Sequence, residues 1–373
     1  MRPTFLQINL KNLVHNFEAI KKFCPNTKIL AAVKANAYGH GLIECSKVLE
    51  KLSVDYLGVA FIEEGLQLRK AGIKTPVLAL GGISGRQIDL FLDYEIDILA
   101  SSISKLEQIE NKARELKKTA NIHIKIDTGM ERVGIHHYSD DIELIIKKAL
   151  SSNYLNLVGI SSHFALSEST DTSFTEQQLQ NFKEVVLKFE NLLPKNIIRH
   201  IANSGGILSS RDNHLNMVRP GRILYGISAG EHQDHKLDLR PVLSLLSEVA
   251  YFKIVREGNS VSYGRTWTAK KDTRVVTIPL GYGDGIFRSL SNKGNVIIRN
   301  KVYPIVGTIC MDQFMVDIGP DGTAYNGDRV TFIGTDGDKS IKITDLAKLA
   351  STDALEILTH LNTRLPRIYL PEE

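Results

Sequence analysis

Ile29-Leu30-Ala31-Ala32-Val33-Lys34-Ala35-Asn36-Ala37-Tyr38-Gly39-His40-Gly41 opens with five apolar residues, stops abruptly on a lysine and continues through small residues to two glycines. A short, continuous aliphatic run is the pattern of a strand buried on both faces, as in parallel sheets. Similar runs recur at 56–60, 77–80, 97–100, 122–126, 157–161, 197–201 and 217–224. Helical spacing fills intervals between them, for example at 141–150 and 174–193. Eight βα units in about 200 residues predict a (β/α)8 TIM-type barrel, although an open doubly wound sheet has the same periodicity.

The texture changes near residue 231. A polar connector rich in His and Asp, 231–238, precedes longer alternating or β-rich runs at 243–255, 274–278, 295–299, 302–309, 314–318 and 329–333. Gly, Asn and Asp punctuate them, which predicts a mostly antiparallel β-domain. One helix is expected at 354–361, capped by Ser351 or Thr352. The chain is thus expected to divide into a barrel, 1–230, and a β-domain, 231–373, with the first few residues pairing with the second domain.

The chain has 373 residues, 46 Lys+Arg against 42 Asp+Glu, and 43% hydrophobic residues. That composition excludes disordered, collagenous and disulfide-scaffold classes. A net charge of +4 is too mild to indicate nucleic acid as a partner and fits a small anionic ligand. No run of about 18 apolar residues predicts a membrane span, and residues 1–16 lack the apolar core of a secretory signal. Cys24, Cys45 and Cys310 form no CxxC pair, so neither disulfides nor structural zinc are expected. A reduced cytoplasmic protein without a metal is the simplest expectation.

Barrel enzymes place their chemistry at the C-terminal ends of the strands. The first strand ends in Lys34, which reads either as an amine paired with a carboxylate or as one whose pKa is lowered by burial, able to form a Schiff base. The fifth carries His123, Lys125 and Asp127 on one face, toward the interior or the helices, in a network that suits a structural role as well as a catalytic one. The sixth ends in His163, by default a satisfied core histidine. After the seventh and eighth, Asn203-Ser204-Gly205-Gly206 and Arg219-Pro220-Gly221-Arg222 read as two ordinary turns or as the phosphate cradle that barrels build there. A lysine and a phosphate cradle at neighbouring strands of a closed barrel suggest an aldehyde cofactor bearing a phosphate, namely pyridoxal phosphate.

With these residues in view, the sequence resembles the alanine racemase family. The resemblance rests on Ala32 to Gly41, on Lys125-Ile126-Asp127-Thr128-Gly129-Met130-Glu131-Arg132, on His200-Ile201-Ala202-Asn203-Ser204 and on Arg219-Pro220-Gly221. It continues with Val261-Ser262-Tyr263-Gly264-Arg265-Thr266-Trp267, with Gly281-Tyr282-Gly283-Asp284-Gly285 and with Cys310-Met311-Asp312-Gln313, running to Leu365-Pro366-Arg367.

The resemblance implies a pyridoxal-phosphate enzyme that interconverts L- and D-alanine and supplies D-alanine for peptidoglycan. Lys34 would carry the cofactor and serve the D-alanine face, and Tyr263 the L-alanine face. Two bases suit a reaction that removes a proton from one side of Cα and returns it on the other. A free tyrosine has a pKa near ~10, so Tyr263 needs help, and in the family His163, Arg219 and His200 form a chain beside it. Arg219 would face the pyridine nitrogen. Tyr38, Ser204 and the backbone N–H groups of Gly221 and Arg222 would hold the phosphate, with His163 and Asn203 adjoining the cofactor. Arg132 and the Met311 amide would meet the substrate carboxylate. Lys125, carboxylated in many members, would position Arg132, and His200, Tyr282, Asp312 and Leu355 stand as supporting positions. Tyr263 and Met311 reach the barrel of the other subunit in the family, so a homodimer with shared sites is implied.

Two positions depart from the family pattern. Leu355 stands where a tyrosine is usual, which predicts a looser gate that admits serine. Arg222 stands where an apolar residue is commoner, its side chain either adding charge at the phosphate or pairing elsewhere. The competing readings are a non-catalytic pyridoxal-phosphate-binding barrel, which would lack the second domain and Tyr263, and a decarboxylase of the same architecture.

Overall fold

The computed structural model describes residues 2–230 and 237–371, so most of the connector 231–238 lies outside the described residues. A first strand, β1 (Phe5–Asn9), precedes a ring of eight parallel strands. These are β2 (Lys28–Ala32), β3 (Tyr56–Val59), β4 (Val77–Ala79), β5 (Ile96–Ala100), β6 (Ala120–Asp127), β7 (Leu155–Ser161), β8 (Ile198–His200) and β9 (Met217–Val218). β9 returns to pair with β2, Met217 opposite Lys28. Two backbone bonds stitch the remaining seam, Arg219 N to Ala202 O at 2.9 Å and Asn216 N to Arg199 O at 3.4 Å. The open-sheet alternative is thereby excluded.

Local chemistry explains the elements. β4 and β5 are buried throughout, as strands covered on both faces must be. The helix Ile103–Leu116 starts at Ser102, whose hydroxyl accepts from Lys105 N, and buries Leu106, Ile109 and Ala113 along one stripe. Leu30, Leu78, Leu99, Ile198 and Met217 form a cluster separate from the main core, the segregation expected of side chains that fill a barrel lumen. Leu99 pairs with His123 and so shares its face. His123 and Lys125 therefore point into the lumen rather than toward the helices.

The second sheet comprises β10 (Leu243–Glu248), β11 (Tyr251–Val255), β12 (Thr273–Ile278), β13 (Asn295–Ile298), β14 (Lys301–Val306), β15 (Phe314–Gly319), β16 (Arg329–Asp336) and β17 (Arg367–Leu370), together with β1 and the short strand Lys339–Ile341, which pairs with β16. All its pairings but one are antiparallel; β1 lies antiparallel to β10 and parallel to β17.

Three local expectations need correction. The run 243–255 is two strands, parted at Val249 and Ala250, which bond to Asp328 O and Thr277 O instead of continuing the ladder. The run 217–224 is strand only at Met217–Val218, because Pro220 has no N–H to give and Arg222–Tyr225 forms a 3-10 turn. The helix Ala354–His360 is capped by Asp353, whose Oδ1 accepts from Leu355 N at 2.7 Å. Ser351 instead ends a separate helix, Ile343–Ala350, in a left-handed conformation at φ 57°. Among the described residues, no helix is long and apolar enough to cross a membrane.

Candidate active site

Lys34 follows β2 after Val33 alone and begins an unusual turn. Ala35, Asn36 and Ala37 have φ of 52–56° and ψ of 47–51°, and Tyr38 has φ 53°. Each such L-residue costs roughly 1–2 kcal/mol. The turn persists because its polar groups are satisfied within it and around it. Ala35 N donates to Glu64 Oε1 at 2.6 Å, Leu42 N to Asn36 Oδ1 at 2.8 Å, and Ala37 N to Val33 O at 2.7 Å. Glu64, in the first turn of the helix Ile62–Lys70, also accepts from Ala60 N.

Burial lowers the pKa of Lys34, and Arg132 and Arg219 lower it further against the opposing charge of Glu64. Lys125 lies lower still relative to an ordinary lysine, chiefly through burial and then the charge of Arg219. Asp127 spends its carboxylate on the backbone. Its two oxygens accept from the backbone N–H groups of Gly129, Met130, Glu131 and Arg132, organising the loop that carries Arg132. Burial works the other way, yet these donors hold its carboxyl below the usual range.

Arg219 sits between two histidines. Its Nη1 donates to His200 Nδ1 at 2.7 Å and its Nη2 to His163 Nδ1 at 2.9 Å, with the carbonyls of Ser162 and Ile201 also within reach. Burial, with Arg132 nearby, pushes Arg219 down to about 9, still a cation at neutral pH. Burial first and then Arg219 depress both histidines well below 6.5, so both are neutral. A guanidinium has no acceptor, so each Nδ1 must be the bare nitrogen and each Nε2 must carry the proton. His163 thus keeps one N–H donor.

The turns after β8 and β9 meet in a tight cradle. Asn203 caps the short helix Ser204–Ser209 through Gly206 N and accepts from Ser167 Oγ. Ser204 Oγ accepts from Gly221 N at 3.0 Å, so the Gly221 amide expected at a phosphate is already engaged, while the Ser204 proton is left to donate. A Cβ on Gly221 would stand 2.5 Å from Tyr38 Oη, a space only glycine leaves open.

The Arg222 side chain pairs elsewhere. It bonds Glu168 through Nη1 and Asp353 through Nη2, at 3.0 Å to Oδ2, tying the loop after β7 to the cap of the helix that carries Leu355. Arg222→Ile is expected to lower the melting temperature of the cofactor-free protein by about 1–2 °C, for pairs worth roughly 0.5–1 kcal/mol each. The loss should shrink in about 1 M salt; an unchanged low-salt melt would show that the pairs contribute nothing.

Tyr263 lies outside this constellation. It sits in the hairpin between the short strands Ser260–Val261 and Trp267–Thr268, where Thr308 Oγ1 donates to its carbonyl. Its side chain is 72% exposed, as are 53% of Met311 and 42% of Tyr282. Tyr263, Tyr282, Arg288 and Ile309 line an open cavity of ≈ 580 Å3. Gly283 N donates to Met311 O, and Asp312 pairs with Arg364. Among the described residues, those around Lys34 and those around Tyr263 are two separate sets. The sequence reading missed Glu64, Glu168 and Asp353, which act through carboxylates at loop or helix starts that no motif distinguishes.

The residues present fit an anionic, phosphate-bearing ligand. Arg132 and Arg219 bring positive charge beside the amines of Lys34 and Lys125, the nearby Asp127 carboxylate is engaged by backbone donors, and the cradle is one that a side chain at Gly221 would fill.

Two family models match the chain: "Alanine racemase, N-terminal domain" over residues 8–229 and "Alanine racemase, C-terminal domain" over 242–369. "Alanine racemase 2" of Caldanaerobacter subterraneus subsp. tengcongensis is 38% identical over 371 residues, covering 99% of this chain and 95% of that protein. The alanine racemase of Treponema denticola is also 38% identical, covering 100% and 99%. Among solved structures, alanine racemase of Clostridium difficile 630 superposes with a TM-score of 0.93 at 35% identity, covering 99% and 96%. The alanine racemase of Bartonella henselae with covalently bound pyridoxal phosphate gives 0.89 at 30%, covering 99% and 100%. Models covering both halves, and relatives of this identity along the full length, establish that the chain belongs to the alanine racemase family.

Proposed function

We propose that the protein interconverts L- and D-alanine, using pyridoxal phosphate held at the barrel mouth and two bases on opposite faces of the substrate. The carrying observation is the company Lys34 keeps: a half-buried lysine of lowered pKa, beside an Arg219 flanked by two neutral histidines, at the mouth of a barrel with a glycine-lined anion cradle. Pyridoxal phosphate, when bound, supplies a conjugated ring that delocalises the charge left when Cα loses its proton.

The chain's own residues divide the remaining work. Lys34 would hold the cofactor through its aldehyde and, with its amine free, would exchange a proton with Cα from one side. Ser204 would donate to the phosphate, Tyr38 and the Arg222 amide would complete that grip, and Asn203 fixes the helix on which Ser204 stands. Arg219, held by His163 and His200, would give a hydrogen bond to the ring nitrogen without surrendering a proton. Arg132 receives the substrate carboxylate. Burial lowers the pKa of Lys125, which raises the share of the neutral amine that carbon dioxide would convert to a carbamate, releasing one proton; the resulting anion would orient Arg132.

The second base is the partner subunit's Tyr263, accompanied by the partner subunit's Met311 and Tyr282, with Asp312 bracing their loop through Arg364. Their exposure in one chain supports a homodimer in which each site is completed by the other subunit. In that setting the donor left on His163 is available to the phenolic oxygen.

The test is incubation of the purified protein with single enantiomers, followed by chiral chromatography. L-alanine and D-alanine should each relax to the equal mixture, and a protein that binds pyridoxal phosphate yet leaves both enantiomers intact would favour the non-catalytic barrel. Leu355 carries the second reading. It presents no hydroxyl at the gate, so L-serine should be racemised at a rate that falls below alanine's by about 10–100-fold, the scale set by a small change in pocket shape. Undetectable serine turnover beside rapid alanine turnover would remove that reading.

A further inference from the structure

The hydrogen-bonded chain from Arg219 continues past His200. With its Nδ1 accepting from Arg219, His200 must carry its proton on Nε2, which lies 3.0 Å from His123 Nδ1. His123 Nδ1 is therefore also an acceptor, and the His123 proton sits on Nε2. That nitrogen is wholly buried and has no hydrogen-bond partner among the described residues. It faces one acceptor, Asp97 Oδ2, at 3.7 Å. Asp97 is 3% exposed and is itself fixed, Oδ2 accepting from Tyr56 Oη at 3.2 Å and Oδ1 from Asn121 Nδ2 at 3.0 Å.

The barrel wall is shaped for this arrangement. The pairing of β6 with β7 slips between Ile122 and His123, so that Ile122 faces Leu157 but His123 faces Gly159. A Cβ on Gly159 would stand 2.3 Å from His123 Nδ1. An irregular register and a missing side chain together make the hole that seats this one ring.

We propose that Asp97 and His123 are positioning residues for Arg219: Asp97 fixes the His123 tautomer, His123 fixes His200, and His200 holds the guanidinium where it meets the cofactor ring. The chain transmits orientation and not protons, because a guanidinium gives up none and interrupts any relay. Its effect on turnover rests on the racemase reading; its tautomers do not.

The experiment has two arms. In the wild-type protein with selectively 15N-labelled histidine, long-range 1H–15N correlation should find His123 and His200 neutral and protonated on Nε2. Asp97→Leu removes the acceptor and should shift His123 toward the Nδ1-protonated form, which cannot coexist with the proton on His200 Nε2. The kcat for alanine should fall about 10-fold, the scale of outer-shell partners, with KM within about twofold. Asp97→Asn, whose amide oxygen can still face the His123 Nε2 proton, should keep both tautomers and at least half the rate.

A proton on Nδ1 of either wild-type histidine overturns the proposal. So do unchanged tautomers and kcat in Asp97→Leu, or equal damage from Asn and Leu. Should Asp97→Leu not fold, the wild-type tautomers and Asp97→Asn decide. Should the protein not racemise alanine, the tautomers in wild type and Asp97→Leu decide without the rate.

Discussion

Lys34→Ala is expected to lower racemisation of both alanine enantiomers by about 10,000-fold, the upper range for loss of a positioned proton-transfer group compounded here by loss of the covalent tether. An amine can attack an aldehyde or accept a proton only when neutral. Burial and the nearby Arg132 and Arg219 lower the Lys34 pKa, so more of it is neutral at any given pH than of a solvated lysine. The left-handed turn after Lys34 and its anchor on Glu64 fix where that amine is presented. Alanine in its place leaves Arg219, Arg132 and the cradle intact, so the cofactor should still bind, though reversibly. Equilibrium dialysis should show cofactor retained less tightly, and added methylamine should restore part of the Schiff-base chemistry. A variant within about tenfold of wild type would mean that Lys34 is an ordinary strand-end cation.

How much of this was legible in the sequence depends on the range of the interaction. The barrel strands were readable because full burial forces continuous apolar runs, and Lys34 stood out as the charge that ends one. The second domain announced itself through β-rich runs punctuated by turn residues. The left-handed turn was not readable: nothing in Ala35-Asn36-Ala37-Tyr38 prescribes it, since its support arrives from Glu64, about thirty positions away. The cap at Asp353 was missed because Ser351 has equal local capping credentials, and only the presence of the preceding helix uses Ser351 for something else. Arg222 left two options open that sequence spacing does not separate; Glu168 and Asp353 come from other elements and decide between them. The same holds for Asp97 and His123, where a glycine and a register slip on a neighbouring strand make the contact. Tyr263 was identified through resemblance alone, since a tyrosine in a polar hairpin has no pattern of its own.

Tyr263→Phe is expected to cut net racemisation by about 1,000-fold, within the range for loss of a general base. The loss must be equal from L- and D-alanine in kcat/KM, because enantiomers have an equilibrium constant of one and the two directions share the same highest barrier. Net rates therefore cannot tell which face the tyrosine serves. Exchange of the Cα hydrogen with solvent can. In D2O, a variant that retains Lys34 should still wash deuterium into D-alanine without inversion, while L-alanine should keep its hydrogen, as followed by the proton NMR of each pure enantiomer. Symmetric residual exchange would remove Tyr263 from its assigned face. The same variant tests subunit sharing. In one chain Tyr263 stands largely in solvent, away from Lys34, so a hybrid of Lys34→Ala and Tyr263→Phe subunits should contain one site with both bases and one with neither. Mixing and reassembling two nearly inactive proteins should then recover roughly a quarter of wild-type activity, since half of the random dimers are hybrids with one intact site of two. Failure to recover activity, with hybrid dimers demonstrated by mass spectrometry, would place both bases within a single chain.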